Sequence, residues 1–254
     1  MEYTDLAGKT VFITGANRGI GKRIADNFIK NKCRIIATYR KDKPDLMPLE
    51  NNKFKHIFVK TDINEIDYIS QWLANYEKEN GKIDILINNA GINIETSLFD
   101  TTMEEWDIIM NTNLKATFFL SQLFAKHMKK HKEGVIINAT SFAAQIPSAY
   151  YGVYAASKSA LVSLTKSMAA EWAPYNIRVN SYSPGVVKTD MTQPAIEQNE
   201  KRMLETISLK RFGKVEEVAD PVLFLSSEAS SYITGVNLDV SGGKFIIQNS
   251  YSIL

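Results

Sequence analysis

Short apolar runs, rich in β-branched residues, recur along this chain, and most are separated by longer segments with helical spacing. The runs are TVFIT (10–14), RIIAT (34–38), HIFVK (56–60), IDILIN (83–88), GVIINAT (134–140), IRVNSYS (177–183) and VNLDV (236–240). They are apolar on both faces instead of alternating, which is the pattern of strands covered by helices on each side of a parallel sheet. Segments 19–30, 63–79, 103–131 with an interruption, 152–172 and 215–226 supply those helices. The pattern predicts a doubly wound, Rossmann-like α/β domain of about seven strands with helices on both faces. The long stretch 185–214 reads as a lid or substrate loop with one short helix over 197–206.

Neither an internal repeat nor a linker-like change of composition divides the 254 residues, so residues 1–254 are expected to form one domain. With 44% apolar and 23% charged residues the chain has the composition of an ordinary globular protein, and a net charge of +2 gives no reason to expect nucleic acid as a partner. The densest basic run, KHMKKHK at 126–132, reads as the solvated end of a helix, with a surface for an acidic partner as the alternative. Cys33 is the one cysteine, so an intrachain disulfide is excluded; it opens an apolar run and reads as a core residue. His127 and His131 are four apart but lie among lysines, which oppose a metal ion, and no metal site is expected. No run reaches the ~18 apolar residues of a membrane span and MEYTDLAGKT lacks a signal peptide's apolar stretch, so the expectation is a cytoplasmic protein without a membrane partner.

The first run leads into TGANRGIG, with Gly15, Asn17, Arg18, Gly19, Ile20 and Gly21. Glycines let a backbone turn tightly against a pyrophosphate, and the following helix N-terminus offers free N–H groups to an anion. The glycine spacing differs from GxGxxG, but its place between a strand and a helix points to dinucleotide binding. At the end of the second run, where an acidic residue would bind the ribose of NAD, stand Tyr39, Arg40 and Lys41. Arg40 and Arg18 suit a 2′-phosphate, so NADP (as NADPH) is the expected cofactor. Asp42, a little further on, reads as a loop residue.

YYGVYAASK at 150–158 holds three tyrosines, of which Tyr154 alone has a lysine, Lys158, at i+4 on the same helix face. A phenol titrates near ~10, and an adjacent ammonium stabilises phenolate, which would fit Tyr154 for proton transfer to or from a carbonyl oxygen. Ser141 stands at the C-terminal end of the fifth run, where open α/β sheets bind ligands, and its hydroxyl can bond the same oxygen; Thr140 is the competitor.

TGANRGIG, NNAG (88–91), NTNL (111–114), Ser141, YAASK (154–158) and SPGVVKTDM (183–191), in this order, resemble the short-chain dehydrogenase/reductase family over residues 7–245. The resemblance implies Tyr154 as catalytic acid, Ser141 as carbonyl polariser, and Lys158 as tuner of Tyr154 and ligand of the nicotinamide ribose. It implies that Asn113 holds a water of a proton relay, that Asn89, Ala90 and Gly91 line the adenine ribose side, and that Asp62 meets the adenine. Pro184, Gly185, Val187 and Thr189 would border the nicotinamide. On residues alone, Asn88 and Asn89 also read as a capped strand end.

Within the family, ANRGIGK, LINNAGI, NTNLKATF, YAASKSAL and the segment 211–243 are most similar to 3-oxoacyl-[acyl carrier protein] reductases, which implies a β-keto thioester substrate and a homotetramer built partly on the helix over 152–172. Two features depart from them. Where those reductases carry two arginines at the mouth of the site for the acyl carrier protein, this chain has Lys132 and Tyr175, and its tail KFIIQNSYSIL runs past the usual end. A related oxidoreductase acting on another ketone or alcohol is therefore the alternative, with a non-catalytic cofactor-binding sensor or scaffold behind it.

Overall fold

The computed structural model describes residues 2–47 and 55–244. In it the apolar runs form seven strands: β1 (Thr10–Ile13), β2 (Arg34–Tyr39), β3 (Ile57–Lys60), β4 (Ile85–Asn88), β5 (Gly134–Ala139), β6 (Ile177–Pro184) and β7 (Asn237–Val240). They lie in the order β3-β2-β1-β4-β5-β6-β7, and every pairing is parallel. The helices are α1 (Gly19–Lys30), α2 (Ile66–Asn80), α3 (Met103–Met110), α4 (Thr117–His131), α5 (Gly152–Trp172), α6 (Gln193–Glu205) and α7 (Val215–Ser226).

Both strand faces are apolar because both are covered. Val11, Ile13, Ile35, Ala37, Ile85 and Ile87 pack with Ile24 and Phe28 of α1 and with Val218, Val222 and Leu223 of α7. The alternate residues Phe12, Ile36, Leu86, Ile136 and Val179 pack on the other face with Ile69 and Leu73 of α2, Leu120 and Phe124 of α4 and Met168 of α5. Across such strands, burial at about 25 cal/mol per Å² of apolar surface is the dominant stabilising term. Cys33 belongs to the first of these clusters, and burial pushes its thiol up to about 12, which removes it as a nucleophile at neutral pH.

Three boundaries differ from expectation, each with a local cause. The helix expected from 63 begins at Ile66, because Asp62 Oδ1 takes the Asn64 N–H at 2.9 Å and Glu65 Oε2 takes the Asp62 N–H at 3.1 Å, which closes a turn first. The interruption in 103–131 is a π-helical turn, Asn111–Ala116, joining α3 to α4 without a change of direction in the backbone angles at either junction. The lid helix starts at Gln193, with Pro194 in its first turn, where a missing N–H costs nothing. A third cluster, Val186, Ile196, Ile207 and Phe212, anchors α6 to the strand ends. Among the described residues no helix is long and apolar enough to cross a membrane.

Candidate active site

All seven strands point their C-terminal ends to one edge, and the segments leaving them build the site. After β1 the chain turns at Gly15 and Gly19, whose φ values of 69° and 55° lie in the left-handed region that favours glycine. Gly21 is required for another reason: a Cβ there would stand 2.0 Å from Gly15 O and 2.3 Å from Asn89 Nδ2. Arg18 is the N-cap of α1 and its side chain makes no capping bond, so the helix presents its first N–H groups at the turn. That is a cradle for an anion, with room that any side chain at Gly21 would remove.

NNAG is joined to this turn. Thr14 Oγ1 accepts the N–H groups of Asn89 and Ala90 at 3.1 and 3.0 Å, and Asn89 Nδ2 donates to Thr14 O at 3.1 Å and Gly15 O at 2.9 Å. Thr14 was not among the expected site residues; a hydroxyl at the end of a strand that leads into a glycine turn is the signal for it. Asn88 does not cap the strand end: its Nδ2 donates to Ser121 Oγ and Asn138 Oδ1, both at 2.9 Å, inside the core.

The predicted 2′-phosphate ligands lie at the surface beside the turn. Arg40, one residue past β2, places Nη1 3.5 Å from Asp62 Oδ2, and Arg18 Nη1 stands 3.8 Å from Asp190 Oδ2 of the lid segment. Asn17 Nδ2 bonds the Asp42 carbonyl. Asp62 bonds the Asn64 amide and side chain and thereby faces the end of β3 next to Arg40. Pro184 closes β6, and Gly185 comes so close to the chain after β7 that a Cβ would meet Ser241 Cα at 2.6 Å. Val187 is buried and pairs with Gly213, while Thr189 packs 3.4 Å from where a Gly19 Cβ would lie, so the lid reaches back to the glycine turn.

Ser141, Tyr154, Lys158 and Asn113 come together over the ends of β4 and β5. Ser141 precedes a short turn and its Oγ accepts the Ala143 N–H at 3.2 Å; its hydroxyl also stands beside the Tyr154 phenol. Thr140 faces away, its hydroxyl 2.8 Å from Tyr182 O and 2.7 Å from Asn237 Oδ1, whereas Ser141 lies on the side of Tyr154. Tyr150 is exposed and Tyr151 donates to Glu95 Oε2 at 2.7 Å, leaving Tyr154 as the tyrosine directed at Ser141. A Cβ on Gly91 would be 3.3 Å from both Asn113 Oδ1 and Lys158 Nζ, so these two groups converge on NNAG. The Asn113 side chain is fully buried in the π turn and exchanges two hydrogen bonds with the Ile92 backbone, at 2.9 and 2.8 Å, with a third to Ser157 Oγ. Such π turns free backbone groups from their usual helical partners, and they concentrate at functional sites.

The electrostatics differ from expectation in one respect. Tyr154 is shifted upward, by burial first, with the Ser141 hydrogen bond opposing, and Lys158 does not lower it. The Lys158 ammonium is turned to the Ala139 carbonyl at 2.8 Å and stands 5.8 Å from the centre of the Tyr154 ring. Burial also draws Lys158 itself down to about 8. Tyr154 is thus held as a neutral phenol, the form that donates a proton.

Two other expectations resolve away from the site. Lys132 and Tyr175 follow α4 and α5, at the N-terminal edge of the sheet, and α5 with its 21 residues separates that edge from Tyr154 by about 30 Å within the chain. They do not stand at the mouth of this chain's own site. Glu77, His127 and His131 cluster with their ligand atoms within 4.8 Å of one another. His127 Nε2 accepts the Ile83 N–H at 2.9 Å, so in the neutral ring Nδ1 carries the proton toward Glu77 Oε2 at 3.4 Å, and Lys130 Nζ stands 2.8 Å from the same oxygen. That arrangement is an ion-pair network and leaves no lone pair on His127 for a metal. The tail after Lys244 lies outside the described residues.

A family profile described as Enoyl-(Acyl carrier protein) reductase matches residues 15–244. Among curated relatives, a 3-oxoacyl-[acyl-carrier-protein] reductase of Buchnera aphidicola subsp. Acyrthosiphon pisum is 40% identical, over 94% of this chain and 98% of its own length. An NAD-dependent glycerol dehydrogenase of Listeria innocua is 37% identical, over 94% of each chain. Among solved structures, a short-chain type dehydrogenase/reductase from Mycobacterium marinum superposes with a TM-score of 0.87 at 32% identity, over 96% of this chain and 98% of the other.

Proposed function

This chain belongs to the short-chain dehydrogenase/reductase family, an enzyme family of oxidoreductases, and from that premise we propose that it reduces the ketone of a 3-oxoacyl thioester to a secondary alcohol with NADPH. The observation that carries the reading is the placing of the Ser141 hydroxyl beside the Tyr154 phenol at the end of β5, with Lys158 one helical turn beyond. Both hydroxyls are positioned to meet one substrate oxygen: Ser141 polarises the carbonyl and Tyr154 gives it the proton. The nicotinamide, when bound, supplies the hydride. Lys158, with Asn113 beside it at Gly91, returns a proton to Tyr154 through water.

The cradle fits a dinucleotide, with Gly15, Asn17, Arg18, Gly19, Ile20 and Gly21 at the pyrophosphate, Asp62, Asn89, Ala90 and Gly91 on the adenosine side, and Pro184, Gly185, Val187 and Thr189 at the nicotinamide. NADPH is preferred because Arg40, and no carboxylate, directly follows β2. A homotetramer in the cytoplasm, with acyl carrier protein delivering the substrate, completes the reading; the exposed apolar side chains of Met103, Trp106, Ile108 and Phe119 on α3 and α4 support self-association. A second reading, reduction or oxidation of another ketone or alcohol, is favoured by the Glu95 carboxylate, exposed beside Tyr151 one turn before Tyr154.

The test is oxidation of NADPH and of NADH by the purified protein with a short β-keto thioester. Turnover with NADPH supports the proposal, and Arg40→Ala then weakens NADPH binding far more than NADH binding. Nucleotide binding without turnover of any thioester overturns the substrate, and equal losses for both nucleotides overturn the role of Arg40.

A further inference from the structure

Tyr182, on β6, is 1% exposed and, among the described residues, the largest of the fully buried side chains. Its hydroxyl donates to Asn89 Oδ1 at 2.9 Å. Tyr182 stands opposite Ala139 on β5, and Asn138 stands opposite Asn88 on β4, so Asn89 lies beyond Ala139 on the next strand. The phenol therefore reaches across β5 at the level of Ala139.

The amide it meets is the one under the glycine turn. Asn89 Nδ2 donates to Thr14 O and Gly15 O, and it lies where a Gly21 Cβ would be 2.3 Å away. An amide oxygen accepts and an amide nitrogen donates. A hydroxyl donor held at the oxygen thus fixes which way the amide faces; turned over, it would aim oxygen at two carbonyl oxygens and its NH₂ at the phenol proton. Tyr182 also binds the other half of the site: its carbonyl accepts Thr140 N at 2.9 Å and Thr140 Oγ1 at 2.8 Å, next to Ser141.

We propose that Tyr182 is a positioning residue for the dinucleotide, acting through Asn89 to hold the Gly15 turn and the N-terminus of α1 in register with the strand that carries Ser141. The proposal rests on the reading of the glycine turn as a nucleotide cradle. Tyr182→Phe keeps the ring and removes the donor, leaving Asn89 Oδ1 buried without it.

Nucleotide affinity, measured by fluorescence titration with NADPH and with NADH in the absence of substrate, reads the effect. Tyr182→Phe is expected to weaken the preferred nucleotide by about 5-fold or more, the scale of an acceptor left unpaired in the interior, and to raise KM for it by more than kcat falls. In an Asn89→Ala background the same change should have less than about a twofold effect, because the route to the turn is already gone. Equal losses in both backgrounds, or an affinity within twofold of the parent for Tyr182→Phe alone, overturn the proposal. Should Asn89→Ala not fold, hydrogen exchange of the amides of residues 14–21 replaces the cycle: faster exchange there in Tyr182→Phe, with β5 unchanged, supports the role, and unchanged exchange overturns it. Failure of the unmutated protein to bind either nucleotide is a different result and overturns the cradle reading as well.

Discussion

Tyr154 is half-buried, kept protonated, and set beside the Ser141 hydroxyl, and these conditions define what its hydroxyl contributes. Tyr154→Phe removes the transferable proton and leaves the ring in place. Turnover should fall by ~10²–10⁴, the range of general acid catalysis, while nucleotide affinity stays near the parent value; steady-state rates and a nucleotide titration on the same preparation check both halves. Near-parent turnover would reject Tyr154 as the acid. At this scale the sequence was readable in kind and ambiguous in place. Spacing alone separates Tyr154 from its two neighbours, but Ser141 and Thr140 are one residue apart on a strand end, and only the direction in which each leaves the strand distinguishes them. The relation of Lys158 to Tyr154 was the less legible part, since a helix places them on one face without saying that the ammonium turns to the Ala139 carbonyl.

The glycine turn and α1 act as one element, because Gly21 packs its bare Cα against the carbonyl of Gly15. Gly21→Ala puts a methyl 2.0 Å from that oxygen, so helix and turn must part. The expected result is a loss of nucleotide affinity of at least tenfold and a destabilisation of about 1–3 kcal/mol, read by titration and by thermal unfolding. Unaltered affinity would mean that the turn is no cradle. Elements in which one physical signal dominates, such as strands covered on both faces and the long α5, were legible almost to their ends. The boundaries that moved are those where side chains compete with the backbone, as Asp62 and Glu65 do before α2, or where one extra residue per turn is inserted without a change in apolar pattern, as at Asn111–Ala116. The position of Lys132 and Tyr175 is an element-level fact too: residues that follow a helix and precede a parallel strand stand at the edge opposite the site.

Across the whole molecule, that opposite edge is held by charge. Lys82 Nζ bonds Asp84 at 3.0 Å and Glu133 at 2.6 Å, Lys9 also pairs with Glu133, and Asp84 Oδ2 accepts the Thr10 N–H at 2.8 Å, so the starts of β1, β4 and β5 share one network. Hydrogen bonds from Lys82 and Lys9 hold Glu133 down to about 2, below its ordinary 4.5. A depressed carboxylate stabilises the fold fully above its unfolded value and loses that contribution as pH falls through the folded one. Glu133→Gln should therefore cost at most about 1 kcal/mol at neutral pH, the pair being partly exposed, and the difference from the parent should shrink between pH 4.5 and about 2. Denaturant midpoints of both proteins across that range test it; a gap that persists at the acid end would assign the effect to packing. The strand order carries a further consequence. The pyrophosphate and adenosine side of the cradle comes from residues before 92 and the proton donors from residues after 139, while Gly185 is seated only once Ser241 lies against it. On the ribosome, the chain must emerge as far as Ser241 before its two halves can close around anything, so chains terminated before it should be inert instead of partly active.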